Sequence, residues 1–371
     1  MKILELTNYS AGGCGVFARV RQEAQLLAGK EHEVRIFSSN IEKGTGKIVP
    51  EQDKIGKVKI TRFPARKIGG ESFMSWRFEK EAIDFKPDVI IAHSYRHLHT
   101  TRALCLKNKI NCKVILVTHA PFGREQTRGF LGNVFVKFYD RFIGRDSLQD
   151  FDKIIAITYW EYLYLVKLGV KQEKIVYIPN GISEDYFSDV KGRRDKSLIY
   201  TGRLAPIKNL GVVIRALKHV ENIRFKIYGP AEKKYLESLK DIVKENKLEK
   251  RVDFDIKNYD KKMHIKELDK KSIFILPSFS EGMPQSLIEA MARKCIVVGS
   301  DNKGNADIIK DEENGFLFIN DNEKDLARVL EKIRNMSEKE LEAMRKNARE
   351  SVEKFKWKIV VNKIDKLIRS V

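Results

Sequence analysis

The stretch SIFILPSFSEGMPQSLIEAMA, residues 272–292, reads as a single strand, turn and helix. Ile273, Phe274, Ile275 and Leu276 form a short apolar run, the composition of a strand buried on both faces of a parallel sheet. Pro277 ends that run. Gly282 and Pro284 punctuate the turn, and Pro284 suits the first turn of a helix carrying Leu287, Ile288, Ala290 and Met291. Glu281 falls in the turn and Glu289 just over one helical turn beyond Pro284. In open α/β sheets, ligands bind beyond the carboxyl ends of the strands, so both acids lie where a site is expected.

The same unit recurs in both directions. Short runs rich in β-branched residues occur at 2–7, 33–39, 58–63, 88–94, 113–118, 153–158 and 175–179, most of them separated by segments of helical period. A polar, charged stretch ends at residue 196, and a second series follows at 197–201, 224–228, 252–256, 272–276, 295–298 and 315–319. Alternating strands and helices define an α/β fold with a parallel sheet, and the restart defines two doubly wound, Rossmann-like domains. The expected divisions are 1–187, 188–354 and a C-terminal helix at 355–371 that crosses back to the first domain, with a break near Phe355-Lys356-Trp357. Two such domains are expected to face each other across a cleft. A chain of 371 residues exceeds what one core ordinarily supports, which fits two.

Composition narrows the function classes. No apolar run approaches the roughly 20 residues of a membrane helix. Glu5 interrupts the start too early for a signal-peptide core, so a cytoplasmic protein is expected. Cys14, Cys105, Cys112 and Cys295 are scattered without metal-ligand spacing and read as reduced thiols. The formal charge is +20, and from Lys57 to Asp146 there are 18 Lys and Arg against 8 Asp and Glu, an excess of 10. Such a field attracts phosphorylated substrates, anionic head groups or other polyanions, or simply reflects a basic surface. No helix-turn-helix, zinc-finger or aromatic RNA-binding signature accompanies it, so nucleic acid is not an expected partner.

Several residues at strand ends carry possible chemistry. Ala11-Gly12-Gly13-Cys14-Gly15 follows the first strand and opens a helix, an arrangement that lets backbone N–H groups approach an anion, or that makes an ordinary tight turn. His93, with Arg96 close behind, and His119 each follow a strand, placed to meet a substrate hydroxyl or to be satisfied within the fold. In Thr201-Gly202-Arg203-Leu204-Ala205-Pro206-Ile207-Lys208 a guanidinium fork and a movable ammonium flank a helix start, suited to a diphosphate or to solvent. The N–H groups of Gln285 and Ser286 add a helix N-terminus to the same edge.

Taken in order, these segments resemble the large family of retaining glycosyltransferases with the GT-B fold, the glycosyl transferases group 1 or family 4. The densest likeness runs from Ile154-Ile155-Ala156-Ile157 through Lys174–Ile182 and Gly202-Arg203-Leu204 with Lys208. It ends with Glu281 and Glu289 in the family's E-x7-E motif and with Gly304-Asn305-Ala306-Asp307. The resemblance implies that Arg203, Lys208, Gln285, Ser286 and Gly13 hold a donor diphosphate and that Glu289 bonds the ribose. It implies further that Glu281 meets the donor sugar and that His119 lines the catalytic centre; His93 and Arg96, from their place after a first-domain strand, are assigned to the acceptor side. The implied reaction moves a sugar from a nucleotide-diphosphate sugar, UDP- or GDP-linked, to a glycan, lipid-linked or small-molecule acceptor. No cofactor or metal is implied, since Arg203 and Lys208 supply the positive charge; two DxD triplets, Asp150-Phe151-Asp152 and Asp253-Phe254-Asp255, are the only metal-like spacing weighed against that. The chain departs from the pattern at Asp307, usually glutamate, at Asn305, usually glycine, and around Phe254–Tyr259, where Phe-Leu-Gly is missing. A nucleotide-sugar epimerase of similar fold and a non-catalytic polyanion-binding protein are the alternatives.

Residues 128–143, RGFLGNVFVKFYDRFI, bear on the acceptor. Their aromatic residues with Lys137, Arg141 and Arg145 suit a peripheral contact with an anionic membrane at its inner face, or else the apolar residues are core and the basic ones solvated.

Overall fold

A computed structural model describes residues 1–67, 70–123, 130–190, 195–258 and 260–371. The chain forms two compact units, Met1–Gly181 with Lys358–Val371, and Ile182–Trp357, so the crossings lie a few residues from positions 187 and 354.

The first unit is built on strands β1 (Lys2–Tyr9), β2 (Glu33–Ser39), β3 (Gln52–Ile55), β4 (Val58–Phe63), β7 (Val89–His93), β8 (Lys113–Val117), β9 (Lys153–Ala156) and β10 (Ile175–Tyr177), with a separate hairpin of β5 (Ala65–Lys67) and β6 (Met74–Trp76). The sheet order is β10-β9-β8-β7-β1-β2-β4-β3, parallel except at the β3–β4 edge. After β1 the chain builds outward through β2, and from β7 it builds the other way, so the switch in strand order lies between β1 and β7. There Leu4 pairs with Ile90 and Leu6 with Ala92. All five residues of β7 are buried, as the continuous run Val-Ile-Ile-Ala-His foretells for a strand covered on both faces.

The second unit has β11 (Asp195–Thr201), β12 (Phe225–Tyr228), β13 (Val252–Asp255), β14 (Lys271–Leu276), β15 (Ile296–Ser300) and β16 (Phe316–Phe318) in the order β13-β12-β11-β14-β15-β16. Its pairs are all parallel. The switch point falls between β11 and β14, which brings the Gly202–Lys208 segment beside the turn that carries Glu281. Phe279 N–H ties the two together by donating to Ile207 O at 2.9 Å.

The helix Glu338–Val352 begins at a capping box, Ser337 with Glu340, and gives way to a 3-10 turn at Glu353–Phe355. Helix Trp357–Arg369 then returns the chain to the first unit, burying Val360, Val361, Ile364 and Ile368. Asp365 secures it: Oδ1 lies 2.8 Å from His32 Nε2 and Oδ2 lies 3.4 Å from Lys30 Nζ.

Candidate active site

At the carboxyl edge of the second unit, Lys208 and Glu281 meet, Lys208 Nζ donating to Glu281 Oε1 at 2.6 Å with both side chains largely buried. The two residues assigned to diphosphate and sugar are therefore engaged with each other. Arg203 lies further out, 63% exposed, and donates from Nη1 to Glu232 Oε1 at 2.6 Å. Exposed ion pairs contribute about 0–1 kcal/mol, so Arg203 can exchange this partner for another anion at little cost. The helix Gln285–Ala292 starts one residue later than its proline suggests, with Pro284 at the N-cap and Gln285 and Ser286 opening the first turn. The dipole at that end favours an anion. Glu289, one turn along, has Oε2 3.6 Å from Nδ1 of His264. His264 is buried and held neutral by burial, its pKa pushed down to about 4. It lies 2.7 Å from Thr201 Oγ1 at the end of β11 and 2.8 Å from Tyr186 Oη.

Glycines set the shape of this edge. Gly202 and Gly229 have φ of 145° and 141°, and a Cβ on Gly229 would lie 2.1 Å from Gly202 O. A Cβ on Gly304 would lie 2.6 Å from Glu281 O and 2.7 Å from Glu281 Cβ. Asn305, the departure noted above, is fully buried and donates from Nδ2 to Leu276 O at 3.1 Å and Ser300 O at 3.0 Å. Its side chain thus ties the ends of β14 and β15 together, work that a glycine there would leave undone.

In the first unit, His93 ends β7 at the switch point, with Nδ1 2.9 Å from His119 Nε2 and Nε2 2.6 Å from Glu5 Oε2. Glu5 and His93 are fully buried, and His119, partly exposed, follows β8 with a left-handed φ of 60°. From the helix Gly15–Ala28, Arg19 and Glu23 join the same interior. Arg19 Nε donates to Glu23 Oε2 at 3.0 Å and Nη1 to Asn180 Oδ1 at 2.8 Å. Burial pushes Glu5 up to about 8, against the pull of Arg19, and pushes His93 down to about 3. Burial likewise holds His119 well below the usual imidazole range, helped by His93 and Arg19. Both rings are neutral at pH 7.

The His119 turn is fixed from below by Glu161, fully buried, whose Oε1 accepts from Ala120 N–H at 2.7 Å and Oε2 from Ile157 N–H at 2.8 Å. Both oxygens face backbone donors, and an amide has only one oxygen. Glu161→Gln is therefore expected to destabilise the protein by about 1–3 kcal/mol, the cost of leaving a buried N–H unpaired. Urea unfolding checks this; an unchanged midpoint would show that the turn does not depend on the carboxylate.

Other assignments fare differently. Gly12, not Gly13, has the left-handed φ, 79°, and a Cβ there would lie 2.2 Å from Lys43 O, whereas a Cβ on Gly13 meets no atom within 4 Å. Gly12 serves the turn, and Gly13 is exposed at its surface. Arg96 is committed to Asp140, donating from Nε to Oδ1 at 2.8 Å and pairing through Nη2 with Oδ2. Of the DxD triplets, Asp152 Oδ2 accepts from Val114 N–H at 2.8 Å and pairs with Lys107 at 3.0 Å, while Asp255 lies between Lys226 and Lys257. In the 128–143 stretch, 128 and 129 lie outside the described residues. Val134, Phe135, Phe138 and Phe142 are half or more exposed, which overturns the reading of those four as core.

Sequence reading passed over Glu5, Arg19, Glu23, Glu161 and His264. Glu5 gave a signal, a carboxylate inside an otherwise apolar strand; Arg19 and Glu23 gave another, opposite charges at i and i+4 on the helix face that carries Val20, Ala24 and Leu27 to the core.

The fold and the paired strand-end sites define a GT-B glycosyltransferase. Comparison with known proteins agrees: the Glycosyl transferases group 1 model matches residues 183–351 and the Glycosyltransferase Family 4 model residues 13–186. The chain belongs to the glycosyl transferases group 1 and family 4. It is 28% identical over 316 residues, 82% of each chain, to a Campylobacter jejuni α-1,4-N-acetyl-D-galactosaminyltransferase named for a diphospho-undecaprenol-linked glycan. It is 28% identical over 312 residues, 76% of this chain and 74% of the other, to an Escherichia coli UDP-Gal:α-D-GlcNAc-diphosphoundecaprenol α-1,3-galactosyltransferase. Among solved structures, sucrose-phosphate synthase from Thermosynechococcus elongatus superposes with a TM-score of 0.82 at 18% identity, covering 100% of this chain and 98% of that one.

Proposed function

We propose that the chain transfers a sugar from a nucleotide-diphosphate sugar to a lipid-linked glycan with retention of configuration. The observation that carries this reading is the Lys208–Glu281 pair beside the N-terminus of helix Gln285–Ala292, with Glu289 one turn away. A diphosphate binding there meets the ammonium of Lys208, the guanidinium of Arg203 and a helix dipole, all of which stabilise charge on the leaving group. Glu281 then accepts from hydroxyls of the sugar, and Glu289 from the ribose. His119 meets the reacting sugar, and the acceptor hydroxyl attacks from the face the diphosphate leaves, giving its proton to the departing phosphate oxygen. This route needs no protein nucleophile, and the positive side chains provide the charge that a metal would otherwise supply.

For the acceptor, the support is the diphospho-undecaprenol in the names of two relatives and the exposed Val134, Phe135, Phe138 and Phe142 with Lys137, Arg141 and Arg145 nearby. Aromatic residues flanked by cations suit a peripheral contact with an anionic leaflet. No helix among the described residues is long and apolar enough to cross a membrane.

A thermal-shift screen of UDP- and GDP-sugars without added metal, followed by transfer assays on undecaprenyl-diphosphate sugars in anionic vesicles, tests this. One nucleotide sugar is expected to raise Tm and to be consumed only when acceptor is present. Stabilisation by none of them would remove the donor site proposed here; transfer to free sugars alone, without vesicle binding, would remove the lipid-linked acceptor.

A further inference from the structure

The first unit contains a chain of three titratable groups, of which the transfer reaction as proposed uses only His119: Glu5 Oε2, the two nitrogens of His93 and Nε2 of His119, joined at 2.6 and 2.9 Å. We propose that Glu5 and His93 are positioning residues for His119, which fix the protonated nitrogen of its ring and so decide whether its outer nitrogen, Nδ1, donates or accepts a hydrogen bond. The inference rests on the reading that His119 meets the donor sugar.

Among the described residues Glu5 Oε1 has no partner to receive an O–H, so the acid proton, when present, sits on the bonded oxygen Oε2, and two arrangements then satisfy both contacts with neutral rings. With Glu5 protonated, its O–H donates to His93 Nε2, His93 Nδ1–H donates to His119 Nε2, and His119 carries its proton on Nδ1. With Glu5 ionised, His93 Nε2–H donates to the carboxylate, His119 Nε2–H donates to His93 Nδ1, and Nδ1 of His119 is bare. Passing from the first to the second moves the Glu5 proton to His93 Nε2 and the His93 Nδ1 proton to His119 Nε2, and releases the His119 Nδ1 proton to solvent. One proton leaves, and the charge appears on Glu5.

The surroundings select the first arrangement at neutral pH. The groups facing the chain are Arg19 and Glu23 from the helix Gly15–Ala28, His97 and His99 at the start of the helix Leu98–Ile110, His99 Nε2 lying 2.8 Å from His93 O, and Glu161 of the helix Tyr159–Lys167 beneath the His119 turn. Burial raises Glu161 to about 7, and its oxygens accept from Ala120 and Ile157 N–H rather than from either ring. Burial raises both Glu5 and Glu23, and the one positive charge among these groups, Arg19, bonds Glu23 directly, so an anion on Glu5 beside an ionised Glu23 has no counter-charge. Glu5 Oε1 is buried with no hydrogen-bond partner among the described residues, which a carboxyl C=O tolerates better than a carboxylate oxygen. Burial accordingly raises Glu5 to about 8. Below that value His119 presents an N–H to a sugar oxygen; above it, a lone pair.

The full-length protein labelled with 15N-histidine, titrated by NMR between about pH 6.5 and 9.5, tests this directly, with the His119 signals assigned by their loss in His119→Asn. The expected result is Nδ1 protonated at the low end and Nε2 at the high end. Glu5→Gln, whose amide N–H can donate to His93 Nε2 at any pH, is expected to hold Nδ1 protonated throughout and to remove the matching alkaline fall in kcat. A wild-type His119 whose tautomer does not change over the range, or a Glu5→Gln protein that inverts as wild type does, would overturn the proposal. An inversion without any change in kcat would uphold the coupling and count instead against His119 at the sugar.

Discussion

Lys208→Ala is expected to lower kcat about 10²–10³-fold while the protein stays folded, the loss that follows removal of one group aimed at charge developing in the transition state. Among the described residues Lys208 makes one side-chain bond, to Glu281, and its side chain is 23% exposed, so its loss leaves no large cavity. The ammonium stands at the β11–β14 switch point, where the donor site proposed above puts the leaving group. Lys208→Arg keeps the charge but not the compact geometry and should recover part of the rate. Removing Lys208 also releases Glu281, so the double variant Lys208→Ala, Glu281→Gln separates the effects. If Lys208 acts only by holding Glu281, the second change adds nothing to the first. A kcat within about twofold of wild type, with donor saturating, would remove Lys208 from the reaction.

The largest effect on stability is expected from Gly229→Ala, about 3–5 kcal/mol. The new Cβ would sit 2.1 Å from Gly202 O and 2.9 Å from Gly202 C, at a φ of 141° that side chains rarely adopt. Relief requires movement of Gly202, whose turn carries Arg203, so donor affinity should fall along with Tm. Gly13→Ala is the contrasting case. Its Cβ meets nothing in the protein, so stability should stay within about 0.5 kcal/mol. If Gly13 serves a bound diphosphate, that variant loses donor affinity with Tm unchanged; equal affinity would show that the loop has no part in binding.

The fold was legible wherever a strand is buried on both faces. Val89–His93 and Lys271–Leu276 announce themselves as apolar runs because every residue of a covered strand must leave water. The edge strand Gln52–Ile55 does not, since an exposed edge needs charge more than apolar area and its residues resemble a loop, and the hairpin strands Ala65–Lys67 and Met74–Trp76, three residues each, are too short to show a period. The candidate site residues stood out by position, after strands, and through motif spacing. What the sequence concealed is who holds whom. Lys208 and Glu281 lie 73 residues apart, Glu5 and His93 88 apart, and only the parallel register brings each pair together. Phe135, Phe138 and Phe142 were ambiguous for another reason: the same helical stripe of aromatics serves a core or an interface, and composition alone does not choose.

Residues 358–371 belong to the first unit but are separated from the rest of it by the whole of Ile182–Trp357. During synthesis on the ribosome the second unit therefore emerges in full before the first can acquire its last helix and the Asp365 contacts with Lys30 and His32. Until then the apolar surface that Val360, Ile364 and Ile368 will help to bury waits in the nascent chain, a natural place for a chaperone to hold it.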